Sequence, residues 1–192
     1  MPNIILASKS PRRQELLHHM GLHDFQICGI DADESCPEGL PAREVVAHIS
    51  RNKALAAKRL VDENSIVITA DTLVFLGDKR LGKPHDEVDA LSMLTALQGN
   101  RHTVCTGVTV QSCTRAVTFT ESTDVIFRAA AREELLAYIR SGEPMDKAGA
   151  YGAQGLGALL IERFEGDYFN VVGLPIMRLS LVLREFGVDT LK

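Results

Sequence analysis

The sequence predicts an α/β protein: a mixed, twisted β-sheet flanked by helices, with a cleft between two lobes. Three observations carry that expectation. The runs Ile4-Ile5-Leu6-Ala7 and Ile66-Val67-Ile68-Thr69-Ala70 are short, apolar and β-branched, as strands buried on both faces are. Helical patterns alternate with them in the first half of the chain. The middle holds two long alternating stretches, 103–111 and 116–127, which suit neighbouring antiparallel strands. Alternation early and hairpins later give a mixed sheet with helices packed on it.

The elements follow in order. After the first strand, Ser10 is placed to cap a helix, and Pro11 fits its first position, where a missing N–H costs nothing. Phe25-Gln26-Ile27-Cys28 reads as a strand and Asp31-Ala32-Asp33-Glu34 as an acidic loop. Val45, Val46, Ile49, Ala56 and Leu60 mark a helix over about 41–60. The strand 66–70 ends at Asp71, and Leu73-Val74-Phe75-Leu76 continues extended into a Gly77-Asp78 turn whose return arm is 79–82. Residues 86–97 form a helix with Val88, Leu91 and Leu94 on one face and Gly99 at its stop. A helix over 132–140 ends at Gly142. Two extended segments, 159–164 and 168–172, flank a turn at Glu165-Gly166-Asp167. Pro175 starts a last helix with Ile176, Leu179, Leu183 and Phe186 as its core stripe.

The 192 residues are 45% hydrophobic and 24% charged, the balance of a folded chain able to bury a sizeable core, and one domain over 1–192 is expected. A formal net charge of -4 argues against broad nucleic-acid binding, which needs a basic stripe. Cys28, Cys36, Cys105 and Cys113 form no CxxC pair and no zinc spacing, so reduced thiols are expected. The opening Met-Pro-Asn-Ile-Ile-Leu-Ala lacks a basic region before its apolar run, and that run is too short for a signal peptide. No segment approaches the ~20 apolar residues of a membrane span. The expectation is a cytoplasmic protein with no membrane partner.

Chemistry concentrates at a few places. Ser8-Lys9-Ser10-Pro11-Arg12-Arg13 puts two hydroxyls, a helix N-terminus and two guanidiniums at the end of a strand, an arrangement that favours phosphate. Asp71 stands where a buried strand turns polar, and no helix follows for it to cap; a carboxylate there can hold a metal or take a proton from water. Lys53 lies beside the apolar stripe of its helix, where it either snorkels from a core edge or points at a compensating anion. Lys83, after Gly82, is either a surface lysine or one whose stem reaches back over the strand ends. Glu34, with Asp31 and Asp33, offers the oxygen ligands that magnesium or manganese prefers, unless the loop is merely solvated. In Asp146-Lys147-Ala148-Gly149-Ala150-Tyr151-Gly152-Ala153-Gln154-Gly155, three glycines let the backbone approach a ligand closely. His18, His19 and His23 read as surface residues. With no Gly-x-Ser-x-Gly elbow and no P-loop, serine-hydrolase and Walker-type readings fall away.

As an ordered set, Leu6-Ala7-Ser8-x-Ser10-Pro11-Arg12-Arg13, Asp33-Glu34, Asn52-Lys53-Ala54, Ala70-Asp71-Thr72, Gly82-Lys83-Pro84 and Asp146-Lys147-Ala148-Gly149-Ala150-Tyr151-Gly152 resemble the Maf family of nucleotide pyrophosphatases nearly end to end. The resemblance implies a Maf/ITPase-like fold with a deep central cleft, often a homodimer. It also implies cleavage of a nucleoside triphosphate to monophosphate and pyrophosphate with a divalent metal, Mg2+ or Mn2+. Asp71 matches the family's catalytic carboxylate, and Arg13, Lys53 and Lys83 match its phosphate-contacting positions. From their own placement Ser8, Ser10 and Lys147 are read as further phosphate ligands and Glu34 as a metal ligand, with direct metal binding by Asp71 the alternative to its acting as base. One mild departure is Arg51, where a glutamate often stands before the Asn-Lys pair. The branch acting on 7-methylated guanine nucleotides tends to carry Trp, Gln and Glu where this chain has Arg12, Thr72 and Gln154. The latter three match the branch acting on dTTP and UTP. A nucleotide-sensing regulator of septum formation without turnover is the alternative of another class, and retention of Asp71 beside the lysines speaks for catalysis.

Gln154 offers one donor and one acceptor, the complement of the O4 and N3–H edge of uracil or thymine. Gln154→Glu removes the donor and sets a negative charge near O4. The expected result is a ten- to hundredfold fall in kcat/KM for UTP, following a loss of ~1–3 kcal/mol, with a smaller fall or a rise on guanine nucleotides. Equal losses on both would mean that the side chain supports its loop and does not read the base.

Overall fold

A computed structural model describes residues 2–191 and contains a seven-stranded mixed sheet and six α-helices among them. The elements are β1 (Asn3–Leu6), α1 (Pro11–His19), β2 (Gln26–Ile27), α2 (Ala42–Ala56), β3 (Ser65–Leu76), β4 (Lys79–Leu81), α3 (Glu87–Leu97), β5 (Arg101–Gln111), β6 (Ala116–Phe127), α4 (Arg132–Arg140), β7 (Ile161–Glu165), α5 (Tyr168–Val172) and α6 (Ile176–Glu185). Strand order is β2-β1-β3-β5-β6-β7, with β4 paired to β3 off this path. β1 runs parallel to β2 and to β3, with Ile5 opposite Val67, while β3–β4 and β6–β7 are antiparallel. The mixed α/β class read from the sequence is the one observed. All four cysteines are free thiols.

The chain divides into two compact units. One holds the residues up to Asp71, 106–121 and those from Gly173 on; the other holds 72–105 and 122–172. In the first, Ile5, Ala7, Ala57 and Val67 form a buried cluster. Helix α2 lies so close to β5 that a Cβ at Gly107 would come within 2.8 Å of the Ala47 nitrogen, so only glycine fits there. In the second, the core is built from residues such as Val74, Leu94, Phe127, Leu135, Ile139 and Tyr151.

Four local expectations are corrected. β3 does not end at Asp71 but runs on to Leu76, so the aspartate sits in mid-strand. Ser10 is the N-cap residue of α1 but makes no side-chain cap; the Ser8 hydroxyl instead accepts from the Ser10 amide at 3.2 Å. On α3 the buried residues are Ala90, Leu94 and Leu97, which pack into the second core, whereas Val88 is 76% exposed. The segment 168–172 is helix, not the second arm of a hairpin. Asp167 accepts from the Phe169 amide at 2.8 Å, and buried Asn170 donates to the Val104 carbonyl and the Thr123 hydroxyl.

The second core encloses a polar pair. His102, 2% exposed, meets the Tyr151 hydroxyl through Nε2 at 2.7 Å and packs edge-on to the Phe127 and Tyr151 rings. Its Nδ1 is buried without a partner among the described residues. Burial drives its pKa down to about 4, against the opposing pull of the Asp124 charge. The unfolded chain, with an ordinary histidine near 6.5, therefore binds a proton between these values that the folded chain refuses. Stability present above pH ~6.5 is lost as pH falls towards 4, by about 3 kcal/mol in full. Urea unfolding across this window should show His102→Gln losing about one proton's worth of the pH slope; identical slopes in both proteins would refute the assignment.

Candidate active site around Asp71

In the first unit, β3 carries Asp71 and α2 carries Lys53, and the two meet. The Lys53 ammonium lies 2.7 Å from Asp71 Oδ1 and 2.8 Å from Glu34 Oε1. The lysine side chain is 14% exposed and that of the aspartate 9%, whereas Glu34 is 55% exposed. Lys53 is thus the compensated cation of the two readings. Asp71 Oδ2 is buried and has no hydrogen-bond partner among the described residues. A lone pair held away from water in this way is a poised acceptor for a proton, a donor or a cation.

A chain of hydroxyls lies behind this pair. Thr69, two residues before Asp71, donates to the Ser50 carbonyl at 2.9 Å, and Ser50 Oγ lies 3.0 Å from Thr109 Oγ1. Thr109 Oγ1 in turn lies 2.9 Å from Thr118 Oγ1. These contacts join α2 to the strands one turn before Lys53 and fix where its stem begins. Sequence reasoning missed them. The available signal was Thr69, a hydroxyl inside the otherwise apolar run 66–70.

Arg13 projects from the first turn of α1. Its Nη1 donates to the Ser8 hydroxyl at 3.2 Å and its Nε to the Gly173 carbonyl at 2.9 Å. Burial lowers its pKa, and the charge of Asp71 works the other way, which places the guanidinium within electrostatic reach of that carboxylate. Ser8, Arg13, Lys53, Glu34 and Asp71 therefore belong to one unit, together with Ser10 and half-buried Arg12.

The acidic loop divides by role. Asp31 pairs with Lys9 at 3.3 Å in the open, and Asp33 accepts from the Ser35 amide and hydroxyl, which lower its pKa. Only Glu34 of the three turns to Lys53. No group of three His, Cys, Asp or Glu side chains able to hold a metal occurs among the described residues. The two carboxylates nonetheless fit a hard cation such as Mg2+, which takes one or two carboxylates and completes its shell with water and phosphate.

The remaining expected residues lie in the second unit. Thr72 follows Asp71 on β3, Lys83 is exposed just beyond β4, and Gln154 is exposed in the glycine-rich segment. The Lys147 ammonium lies 2.6 Å from both the Glu143 carbonyl and Asp146 Oδ1. His18, His19 and His23 are exposed, as expected. No helix among the described residues is long and apolar enough to cross a membrane.

A family model described as Maf-like protein matches residues 3–186, and the chain belongs to that family. A relative from Acetivibrio thermocellus named dTTP/UTP pyrophosphatase is 48% identical, spanning 100% of this chain and 99% of its own. Relatives of the same name from Thermoanaerobacter sp. strain X514 and Aquifex aeolicus are 49% and 42% identical, covering 98% and 96% of this chain and 99% and 96% of their own. A solved HAM1 protein from Coxiella burnetii superimposes with a TM-score of 0.49 at 11% identity, over 96% of this chain and 100% of its own.

The ion pair makes a prediction about stability. Removing one partner of a buried pair costs about 3–5 kcal/mol, because the other charge stays buried, and the charge of Arg13 moves the expectation for Lys53→Met to the lower end. Asp71→Asn in the Lys53→Met background should restore part of that loss. Urea unfolding of the three variants checks this, and an additive pair of effects would show that the two groups do not interact.

Proposed function

We propose that this protein hydrolyses dTTP and UTP to the corresponding monophosphate and pyrophosphate. The observation that carries the reading is Asp71: a carboxylate buried in mid-strand, one oxygen held by Lys53, the other without a partner among the described residues. Support for the substrate comes from the relatives' names over almost the whole chain and from Arg12, Thr72 and Gln154. A preference for 7-methylated guanine nucleotides is not favoured by either.

In the proposed reaction a water oxygen attacks the α-phosphorus. Asp71 orients that water and takes its proton; the bond from the α-phosphorus to the bridging oxygen breaks, and pyrophosphate leaves with the electron pair. Arg13 and Lys53 stabilise the charge that develops on the leaving group, since fixed cations in an enclosed place act without reorganising solvent. Ser8 holds the Arg13 fork in place. Lys83 takes the further phosphate role that the family resemblance implies, and Lys147 and Ser10 take those read from their place in the sequence. Glu34 is the residue that would hold a divalent cation, Mg2+ or Mn2+, which supplies charge neutralisation for the triphosphate when bound; direct metal binding by Asp71 is the alternative to its role as base. A cytoplasmic location and a homodimeric state complete the reading, on the family resemblance.

Asp71→Asn should lower turnover by ~10²–10⁴-fold while nucleotide binding survives. Retention of more than about a third of the rate would remove Asp71 as the base. UTP should give UMP and pyrophosphate in one step, and a chelator should stop the reaction. Orthophosphate release with accumulating UDP would identify a terminal phosphatase instead.

A further inference from the structure

The glycine-rich loop reads from the sequence as a backbone that approaches a ligand, yet in the structure an anion of the protein itself occupies that approach. Glu143 follows α4 in a short 3-10 turn. Its Oε2 accepts from the Leu156 amide at 2.8 Å, and its Oε1 accepts from the Gly157 amide at 3.1 Å and the Tyr138 hydroxyl at 2.9 Å. The Tyr138 hydroxyl accepts in turn from the Gly152 amide at 3.1 Å. One carboxylate and one phenol thus hold both ends of the loop 152–157, and Gln154 lies between the tethers.

The glycines answer to this arrangement. A Cβ at Gly155 would lie 2.6 Å from the Glu143 carboxyl carbon, and one at Gly157 would lie 2.6 Å from the Tyr138 oxygen. The anchor is itself braced. Lys147 donates to the Glu143 carbonyl at 2.6 Å, and the Glu143 amide donates to the Ser141 hydroxyl at 3.2 Å. Burial works to raise the carboxyl's pKa, but the amides of Gly157 and Leu156, the Tyr138 hydroxyl and the Lys147 charge together bring it below the ordinary value. Glu143 is therefore an ionised group satisfied by backbone N–H donors, as an anion in a nest is.

We propose that Glu143 is the positioning residue of the base-reading loop: its carboxylate, with Tyr138, fixes the backbone on either side of Gln154. The proposal rests on the reading of Gln154 given under the proposed function. A side chain that discriminates one base edge by paired hydrogen bonds needs a fixed origin, because a small misplacement forfeits both bonds at once. A loop with three glycines in six residues, 152–157, exposed over 154–156, has no such origin unless its buried ends are tethered.

Two readouts test this, one without nucleotide. Amide exchange of the free protein, resolved by NMR at Leu156 and Gly157, should be at least ~10-fold faster in Glu143→Gln than in the wild type, since the carboxamide keeps one acceptor oxygen for two amides and the local opening through which they exchange becomes easier. Amides that stay protected would overturn the proposal. In turnover, kcat/KM for UTP should fall ~10-fold, mostly through KM, while ribose 5-triphosphate, which has no base to read, is cleaved at the wild-type rate. Equal losses on both would reduce Glu143 to a general structural role and would also overturn it. Should Glu143→Gln not fold, Tyr138→Phe carries the same two tests at the Gly152 amide. Gln154→Glu measured alongside separates the two layers. If it causes no selective loss on UTP, the base-reading assignment fails, while exchange at the Leu156 and Gly157 amides still decides the anchoring.

Discussion

A negative charge buried in the middle of a strand is the constraint around which the first unit is arranged. Asp71 cannot be placed there alone, because a carboxylate taken out of water loses several kcal/mol of hydration. Lys53 offsets that loss at 2.7 Å, and it reaches the aspartate because α2 is seated on the sheet by Gly107 and by the Ser50, Thr69 and Thr109 hydroxyls. Arg13 adds a second positive charge, itself held by Ser8 and the Gly173 carbonyl. Under the proposed function the cations serve stability and chemistry together: groups that make the buried carboxylate tolerable are also those assigned to the charge on a departing pyrophosphate.

The second unit meets the same difficulty by other means. Glu143 is also a partly enclosed carboxylate, but its partners are backbone amides and a phenol, with a lysine on its own carbonyl. Amide donors have fixed directions and no stem to reorient, so they pass the position of the carboxylate on to the loop. The Lys53 ammonium instead joins two carboxylates from different segments, one of them on the 55% exposed side chain of Glu34. The two carboxylates therefore have different surroundings, Asp71 among charged side chains and Glu143 among backbone donors. Neutral His102 in the same unit is a third solution, in which the buried group gives up its charge and binds Tyr151 as an uncharged ring.

Much of this was legible in the chain itself. The β-branched runs, the helical stripes and the Pro11 start gave the class and most elements, because burial on one face or two leaves a periodic mark. Local chemistry misled where a neighbour in sequence was taken for a neighbour in function. The polar Asp71 looked like a strand end, but the ladder continues because its charge is met by Lys53 from another element. The stretch after Asp167 looked extended, but that residue's carboxylate starts a helix and Asn170 faces inward.

By itself the sequence determined the class of fold and the family and named the candidate site residues, since these depend on residue type and order. Only the tertiary structure decided which charges meet. It singled out Glu34 from its acidic neighbours, gave Lys53 two carboxylates, left Asp71 Oδ2 without a partner among the described residues, and seated Glu143 where the glycines had suggested a ligand. Such pairings join residues 18 or more positions apart, as Lys53 and Asp71 are, or reach 13 positions forward, as Glu143 does to Leu156. No local periodicity records them, because a Coulomb contact depends on distance in space and leaves no spacing along the chain.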